Sequence, residues 1–439
     1  MDKEYRNIII SIVLAVLGYF FASFVFDDTQ SKLIGIVIFL VAMWTNEALP
    51  LGVVSLFPII LFPAFDILGT SATTINYSKS IIFLFLGGFL LAIAVEKIGL
   101  HKLIANKLLA IFPQTTRGII FALAITSALL SAVLSNTTTA LLLMPIALFL
   151  TDVNKIKIRL VLAVAYGASV GGIITPIGTP PNLILMGFLQ SNNIETLSFI
   201  EWMIKTIPLA TIMLIIVSYV LSLGLNDLPD IKRQDNNEEI KMSNDQRRLK
   251  NILLLLIVVL GVNSFFKISE AGILLAFGLA MMLPKFGFLV WEDSKKIPYE
   301  IIFLFGAGFS IAAAFSHTGL AEAISQMLLT LTELPPIVLI LIVASLITFT
   351  TEVTSNTALI SIALPIIFSL GQSSNIDTNL ILMVATICAS YAFMLPIATP
   401  PNAIAMSSKV LTIKDMARFG ILFNTIAILL TTSIALLLW

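Results

Sequence analysis

Apolar residues in this chain do not alternate with polar ones at a strand or surface-helix period. They form unbroken runs, each long enough to cross a bilayer as a helix. Such runs predict membrane helices near 8–26, 33–49, 51–68, 80–96, 158–190, 204–225, 249–266, 270–284, 300–316, 378–408 and 416–439. Two further apolar stretches, 118–150 and 336–370, each carry a Ser-Asn-Thr triplet near the middle. Lys3 and Arg6 precede the first run, but no small-x-small cleavage site follows it, so it reads as an uncleaved span.

The same pattern occurs twice. Residues 81–100 read IIFLFLGGFLLAIAVEKIGL and residues 301–320 read IIFLFGAGFSIAAAFSHTGL, identical at eleven of twenty positions without a gap. That offset of 220 carries Ser135-Asn136-Thr137 onto Ser355-Asn356-Thr357, and Pro145 onto Pro365. It also carries Thr179-Pro180-Pro181-Asn182 onto Thr399-Pro400-Pro401-Asn402. Matched Pro, Asn and Gly positions mark a true internal repeat rather than shared apolar composition.

Composition agrees with a membrane protein. Hydrophobic residues make up 58% of the 439 residues and charged residues 11%, with a mean hydropathy of +1.03, where a soluble domain carries about 25% charged residues. The formal net charge is zero, so nothing points to nucleic acid. Cys388 is the only cysteine and lies in an apolar run, which excludes a disulfide framework. His101 and His317 are too far apart in sequence to suggest a ligand pair, and His317 reads as an interfacial residue. Residues 226–250 hold six basic and six acidic side chains and form a polar linker in water.

Charge placement sets orientation. If 118–150 and 336–370 are re-entrant hairpins, eleven spans remain. With the N-terminus cytoplasmic and the C-terminus outside, every Lys and Arg except Lys32, Lys79, Lys205 and Lys267 then falls on the cytoplasmic side. The halves have opposite topology, the inverted-repeat plan of secondary transporters. The expected class is an all-α polytopic protein with two re-entrant hairpins. Residues 1–112 and 251–332 would form scaffold helices. Residues 113–225 (hairpin 117–152, broken helix 158–190) and 333–439 (hairpin 336–370, broken helix 378–408) would form two transport halves.

Two motif pairs carry the candidate chemistry. Polar backbone at membrane depth is tolerated only where it is buried in protein or lines a wet cavity. Ser and Thr cap helix starts, so each Ser-Asn-Thr triplet predicts a hairpin tip, with the second helix of the first tip starting near Thr138. Its amides offer partial positive charge to an anion. Each Pro-Pro pair breaks a helix and leaves carbonyls one turn earlier unpaired, a hard-oxygen setting for a small cation such as sodium.

No Lys or Arg occurs between Arg117 and Lys155, or between Lys296 and Lys409. An anion bound at the motifs must therefore meet helix ends, amides, hydroxyls and co-bound cations. Moving a dianion into a negative interior costs about 4.6 kcal/mol per 100 mV, and two sodium ions cancel that. Glu352 is the only acidic residue near either motif and reads as a structural hydrogen-bonding group, with tuning of ion binding as the alternative. Glu47 reads as pinning a helix turn, and Asp27, Asp28 and Asp377 as solvated loop residues.

The four motifs, with Trp44-x-x-Glu47-Ala48-x-Pro50-Leu51 ahead of them, resemble the divalent anion/sodium symporter family over essentially the whole chain. The resemblance implies a homodimer in the inner membrane, working as an elevator. It implies one sodium site from Ser131, Ser135, Asn136 and the Gly178 carbonyl. A second would use Thr351, the Thr354 backbone, Asn356 and the Ala398 carbonyl. Substrate carboxylates would meet Asn136, Thr137, Asn356 and Thr357, with Thr179, Pro180, Thr399 and Pro400 lining the pocket. Thr354 stands where small residues are common, harmless if only its carbonyl serves. Sulfate-transporting members usually carry large soluble inserts, and this chain has only the short linker. The expected function is sodium-coupled import of C4-dicarboxylates such as succinate, malate and fumarate. A sodium-independent di- or tricarboxylate exchanger, a sulfate transporter of the same fold and a passive anion channel stay open. No nucleophile–base pair or metal cluster suggests an enzyme or an organic cofactor.

Overall fold

A computed structural model describes residues 3–46, 48–113, 115–225, 242–266, 268–328 and 333–439. Among them regular structure is helical. The chain opens with α1 (Lys3–Ala22) and α2 (Asp28–Asn46), then the short α3 (Leu51–Val54), α4 (Phe57–Ala64) and α5 (Thr70–Thr74). The first repeat follows as α6 (Ser80–Lys97), α7 (Leu100–Ile111), α8 (Thr116–Ser131), α9 (Asn136–Phe149), α10 (Asn154–Gly172), α11 (Pro180–Ser191) and α12 (Phe199–Ser222). Next come α13 (Asn244–Phe266) and α14 (Glu270–Ala280). The second repeat is α15 (Tyr299–Thr318), α16 (Leu320–Met327), α17 (Pro336–Thr351), α18 (Asn356–Gln372), α19 (Thr378–Ala389), α20 (Pro400–Ser407) and α21 (Ile413–Leu438). Glu47 and residues 226–241 of the expected linker lie outside the described residues.

Six helical stretches among the described residues are long and apolar enough to cross a membrane: 4–22, 28–46, 70–97, 199–222, 299–318 and 413–438. The shorter apolar helices include the pairs α8–α9 and α17–α18. These pairs flank the two Ser-Asn-Thr triplets, and α8 and α17 begin and end at matching positions of the repeat. Gly99 and Gly319, also repeat partners, both take positive φ (69° and 66°), where a side chain is strained, and turn the chain into α7 and α16.

Three expectations change. The span 51–68 is not one helix: α3 ends at Val54 and α4 restarts at Phe57. Pro58 has no N–H to bond back to the Val54 carbonyl, so the ladder of α3 cannot continue through it, whereas a Pro in the first turn of α4 is tolerated. The helices α7 and α16 were not foreseen as elements separate from the spans before them. The helix after the first triplet starts at Asn136, not Thr138, because Ser135 caps it and accepts from the Thr138 N–H at 3.1 Å.

The two repeats interlock. Within the first, α10 packs along α8; within the second, α19 packs on α17 and α18. The segments after the Pro-Pro breaks cross over. α20 packs on α9 and α10 of the first repeat, and α11 packs on α18 and α19 of the second. Small residues permit this closeness: a Cβ on Gly171 would meet the Ala128 carbonyl oxygen at 2.2 Å, so α8 and α10 touch backbone to backbone. A separate core joins α2, α3 and α4 to α15 and α16 through Leu40, Trp44, Ile311 and Phe315.

Candidate functional site

The exchange of α11 and α20 brings four helix starts to one place. The N-termini of α9, α11, α18 and α20 border a cavity of about 280 Å³. Ser135, Asn136, Thr137, Gly178, Thr179 and Pro180 line it from one repeat, and Ser355, Asn356, Thr357, Ala398, Thr399 and Pro400 from the other. All eight expected substrate contacts therefore share one cavity. The remaining wall is apolar, from Leu51, Phe85, Phe89, Ile301 and Leu304 among others, and among the described residues the lining holds no ionisable side chain. What faces an anion there is helix ends, hydroxyls and amides. A larger cavity of about 690 Å³, between α6, the α11–α12 connection and α13–α14, contains none of the motif residues.

The expected cation ligands divide. Ser135, Asn136, Gly178, Asn356 and Ala398 line the cavity; Ser131, Thr351 and Thr354 do not. Ser131 lies buried behind Asn136 and donates its hydroxyl to Asn136 Oδ1 at 2.5 Å. Thr351 is buried and donates to the Ala389 carbonyl at 3.0 Å, while Thr354 Oγ1 donates back to the Thr350 carbonyl at 2.9 Å. A donating hydroxyl keeps lone pairs for a cation. The two Asn side chains are held differently. Asn136 lies against Gly172, whose added Cβ would come within 3.1 Å of its Oδ1. Asn356 Oδ1 accepts from the Thr357 N–H (2.8 Å) and from Thr357 Oγ1 (3.2 Å).

The carbonyls before the breaks are not all unpaired as expected. Asn182 Nδ2 donates to the Gly172 carbonyl (3.0 Å) and the Thr175 carbonyl (2.9 Å). Its repeat partner Asn402 donates to the equivalent Ala392 (2.9 Å) and Leu395 (3.1 Å) carbonyls. Both Asn side chains are fully buried. Each acts as a staple across its break: it supplies the donor that the Gly172 or Ala392 carbonyl lacks because Pro176 or Pro396 stands one turn on, and the Gly178 and Ala398 carbonyls are left at the cavity. Their matched place in the repeat was the signal for this role. The structural reading of Glu352 holds: its carboxylate accepts from the Phe393, Met394 and Leu395 N–H groups and from Asn424 Nδ2.

The profile of the citrate transporter family matches residues 36–388, and the chain belongs to that family. Among curated proteins it is 30% identical to a sodium-dependent dicarboxylate transporter, SdcS, of Staphylococcus saprophyticus, covering 97% of this chain and 91% of that protein. It is 31% identical to the protein of the same name from Staphylococcus aureus, over 90% of this chain and 83% of that protein. These relatives bear out the resemblance drawn from the four motifs, and the chain is a membrane transporter rather than an enzyme. The fold matches two solved structures at low identity. One is the YdaH transporter of Alcanivorax borkumensis (TM-score 0.59, 14% identity, 83% of this chain and 86% of that chain). The other is MtrF of Neisseria gonorrhoeae (TM-score 0.62, 12% identity, 83% and 82%).

Proposed function

We propose that this protein imports C4-dicarboxylates such as succinate, malate and fumarate together with sodium, by an elevator movement of its two interlocked halves within a homodimer. One observation carries the reading: both Ser-Asn-Thr tips and both Thr-Pro-Pro-Asn starts border one cavity, with no ionisable lining residue among the described residues. A dianion there gains from four helix N-termini and needs mobile cations to complete its charge balance. In this reading sodium is cargo. Ser131, Ser135, Asn136 and Gly178 serve one ion, and Thr351, Thr354, Asn356 and Ala398 the other. Asn136, Thr137, Asn356 and Thr357 meet the carboxylates, between Thr179, Pro180, Thr399 and Pro400. The helix pairs α8–α9 and α17–α18 are re-entrant hairpins, eleven spans cross the inner membrane, the N-terminus is cytoplasmic and the C-terminus is outside. Curated relatives named as sodium-dependent dicarboxylate transporters support the same cargo. Uptake of labelled succinate into proteoliposomes, with and without an inward sodium gradient, tests it. Sodium-driven accumulation is expected; uptake that ignores sodium and needs internal dicarboxylate would overturn it. The family description favours citrate as a second reading, and competition by unlabelled citrate against unlabelled succinate separates the two.

Unequal use of the two repeats supports the elevator. The wall facing the tips takes Phe85, Gly88, Phe89 and Ala92 from α6, but only Ile301 and Leu304 from α15. With inverted repeats the imbalance reverses in the opposite state, where Phe305, Gly308, Phe309 and Ala312 take over. At present Ser80 Oγ donates to Gln190 Oε1 at 2.9 Å, between α6 and α11. Cysteines introduced at both positions in a Cys388→Ser background, bridged by a short bifunctional thiol reagent, should stop transport reversibly. Unimpaired transport by the bridged protein rules out movement between those helices.

A further inference from the structure

Glu352 lies at the C-terminal end of α17, immediately after Thr351, and is 3% exposed. Among the described residues it is the one carboxylate that is fully buried. Its four partners are all N–H donors. Oε1 accepts from Phe393 N–H (2.7 Å), Met394 N–H (2.9 Å) and Asn424 Nδ2 (2.6 Å), and Oε2 accepts from Leu395 N–H (3.0 Å). The three backbone amides can only donate, and a carboxyl that accepts this many N–H bonds is favoured in its ionised form. The geometry is that of an ionised carboxylate. No ion pair among the described residues includes it. Four amide dipoles stabilise such a charge without cancelling it.

The charge stands beside the second half's expected cation ligands. Thr351 adjoins it, Thr354 and Asn356 follow within one turn, and the amides it binds belong to the break that ends at Ala398. In the first repeat the same position is Ala132, whose backbone carbonyl merely accepts from Thr175 Oγ1 at 2.5 Å. The four motifs are therefore symmetric, but the fixed charge behind them is not.

We propose that Glu352 is the fixed counter-charge of the sodium site in the second half, and that it makes this site the tighter of the two. The proposal rests on the sodium-coupled reading above. Glu352 does not touch the cavity and acts through its field and its hold on the break; it is a positioning residue. A unit charge at close range in protein changes cation affinity by about one order of magnitude.

The test uses the full-length protein in proteoliposomes, with succinate uptake followed against sodium for the parent, Glu352→Gln and Glu352→Asp. Gln keeps the length and removes the charge; Asp keeps the charge and shortens the reach. Glu352→Gln should raise the half-saturating sodium concentration about tenfold, with the rate at saturating sodium recovering to within about twofold. Glu352→Asp should stay within about threefold of the parent, even as both variants melt earlier in detergent. An unchanged sodium curve for folded Glu352→Gln overturns the proposal. So does a rate that no sodium concentration restores, or an Asp variant shifted as far as Gln; either outcome marks a strut alone. A second measurement leaves Glu352 in place: stabilisation by sodium against heat, titrated in choline-balanced buffer without substrate. Ser131→Ala, with only the second site intact, should respond at about tenfold lower sodium than Thr351→Val, and the reverse order overturns the proposal. A parent protein indifferent to sodium in both assays would instead sink the sodium reading itself.

Discussion

The two broken helices share a motif and side-chain donors to their carbonyls, yet only the second gap also has backbone amides held by a carboxylate. In the first repeat residues 173–179 are tied down through their own carbonyls or side chains. Trp202 Nε1 donates to the Ile173 carbonyl (2.9 Å), Thr206 Oγ1 to the Ile174 carbonyl (3.0 Å), and Thr175 Oγ1 reaches the Ala132 carbonyl. In the second repeat residues 390–399 are tied down through their amides, all three taken by Glu352, while Tyr166 from α10 donates to the Phe393 carbonyl at 2.9 Å. The longer gap follows from an earlier stop: α19 ends at Ala389, whereas α10 runs to Gly172, the repeat equivalent of Ala392. The lesson is a division of labour. Repeated residues fix where the chain breaks and which helix starts face the cavity. Unrepeated residues fix the polarity of each gap, and so make two nearly identical sites electrically different.

The largest expected effect removes what the halves share. Asn136→Ala and Asn356→Ala should each reduce succinate uptake about a hundredfold or more, since in the proposed site each Asn serves both substrate and cation. They should differ in cause. Asn136 is positioned by Ser131, so Ser131→Ala should reproduce part of its defect, whereas Asn356 is positioned by its own helix start. If Asn356→Ala left the sodium dependence of residual uptake unchanged, the second cation site would be misassigned. A smaller effect compares the staples. Asn182→Ala and Asn402→Ala each strand one carbonyl, that of Gly172 or Ala392, while the Thr175 and Leu395 carbonyls keep the Gly178 and Ala398 N–H; an unsatisfied buried group costs about 1–3 kcal/mol. The first gap keeps three other side-chain ties and the second keeps four, three to Glu352 and one from Tyr166, so the two variants should lower the melting temperature in detergent by similar amounts. A much larger loss in either variant would show that the other ties of its gap contribute little.

Much of this was legible in the sequence because Pro, Asn and Gly recur at one register. The offset of 220 paired the two triplets and the two Pro-Pro breaks, and the family resemblance supplied the eight expected substrate positions that the structure gathers in one cavity. Local pattern did not reveal the exchange of α11 and α20, because which partner a short buried helix packs on is a long-range matter. Nor did it reveal the four donors of Glu352. Three come from the gap at 393–395 and one from Asn424 on α21, so nothing near Glu352 in sequence announces them. The split of 51–68 was readable from Pro58 and Pro63, and an unbroken apolar run masked it. Short α7 and α16 fall after the expected spans 80–96 and 300–316, in stretches too short and polar to read as membrane crossings.

The smallest expected effect tests whether the first gap depends on its ties at all. Thr175 is buried, and its hydroxyl joins the gap to the end of α8 at Ala132. Thr175→Val keeps the shape and removes one hydrogen bond, leaving the Ala132 carbonyl without its donor; the cost is about 1 kcal/mol. Trp202, Thr206 and Asn182 still hold the neighbouring carbonyls at 173, 174 and 172. Uptake at saturating sodium should therefore fall by no more than about twofold, with half-saturating sodium unchanged. The same loss of a single tie in the second gap would involve a charge, and a charge cannot be replaced by neighbours that are dipoles. A shift in sodium affinity on Thr175→Val as large as that expected for Glu352→Gln would show that geometry, not charge, separates the two halves.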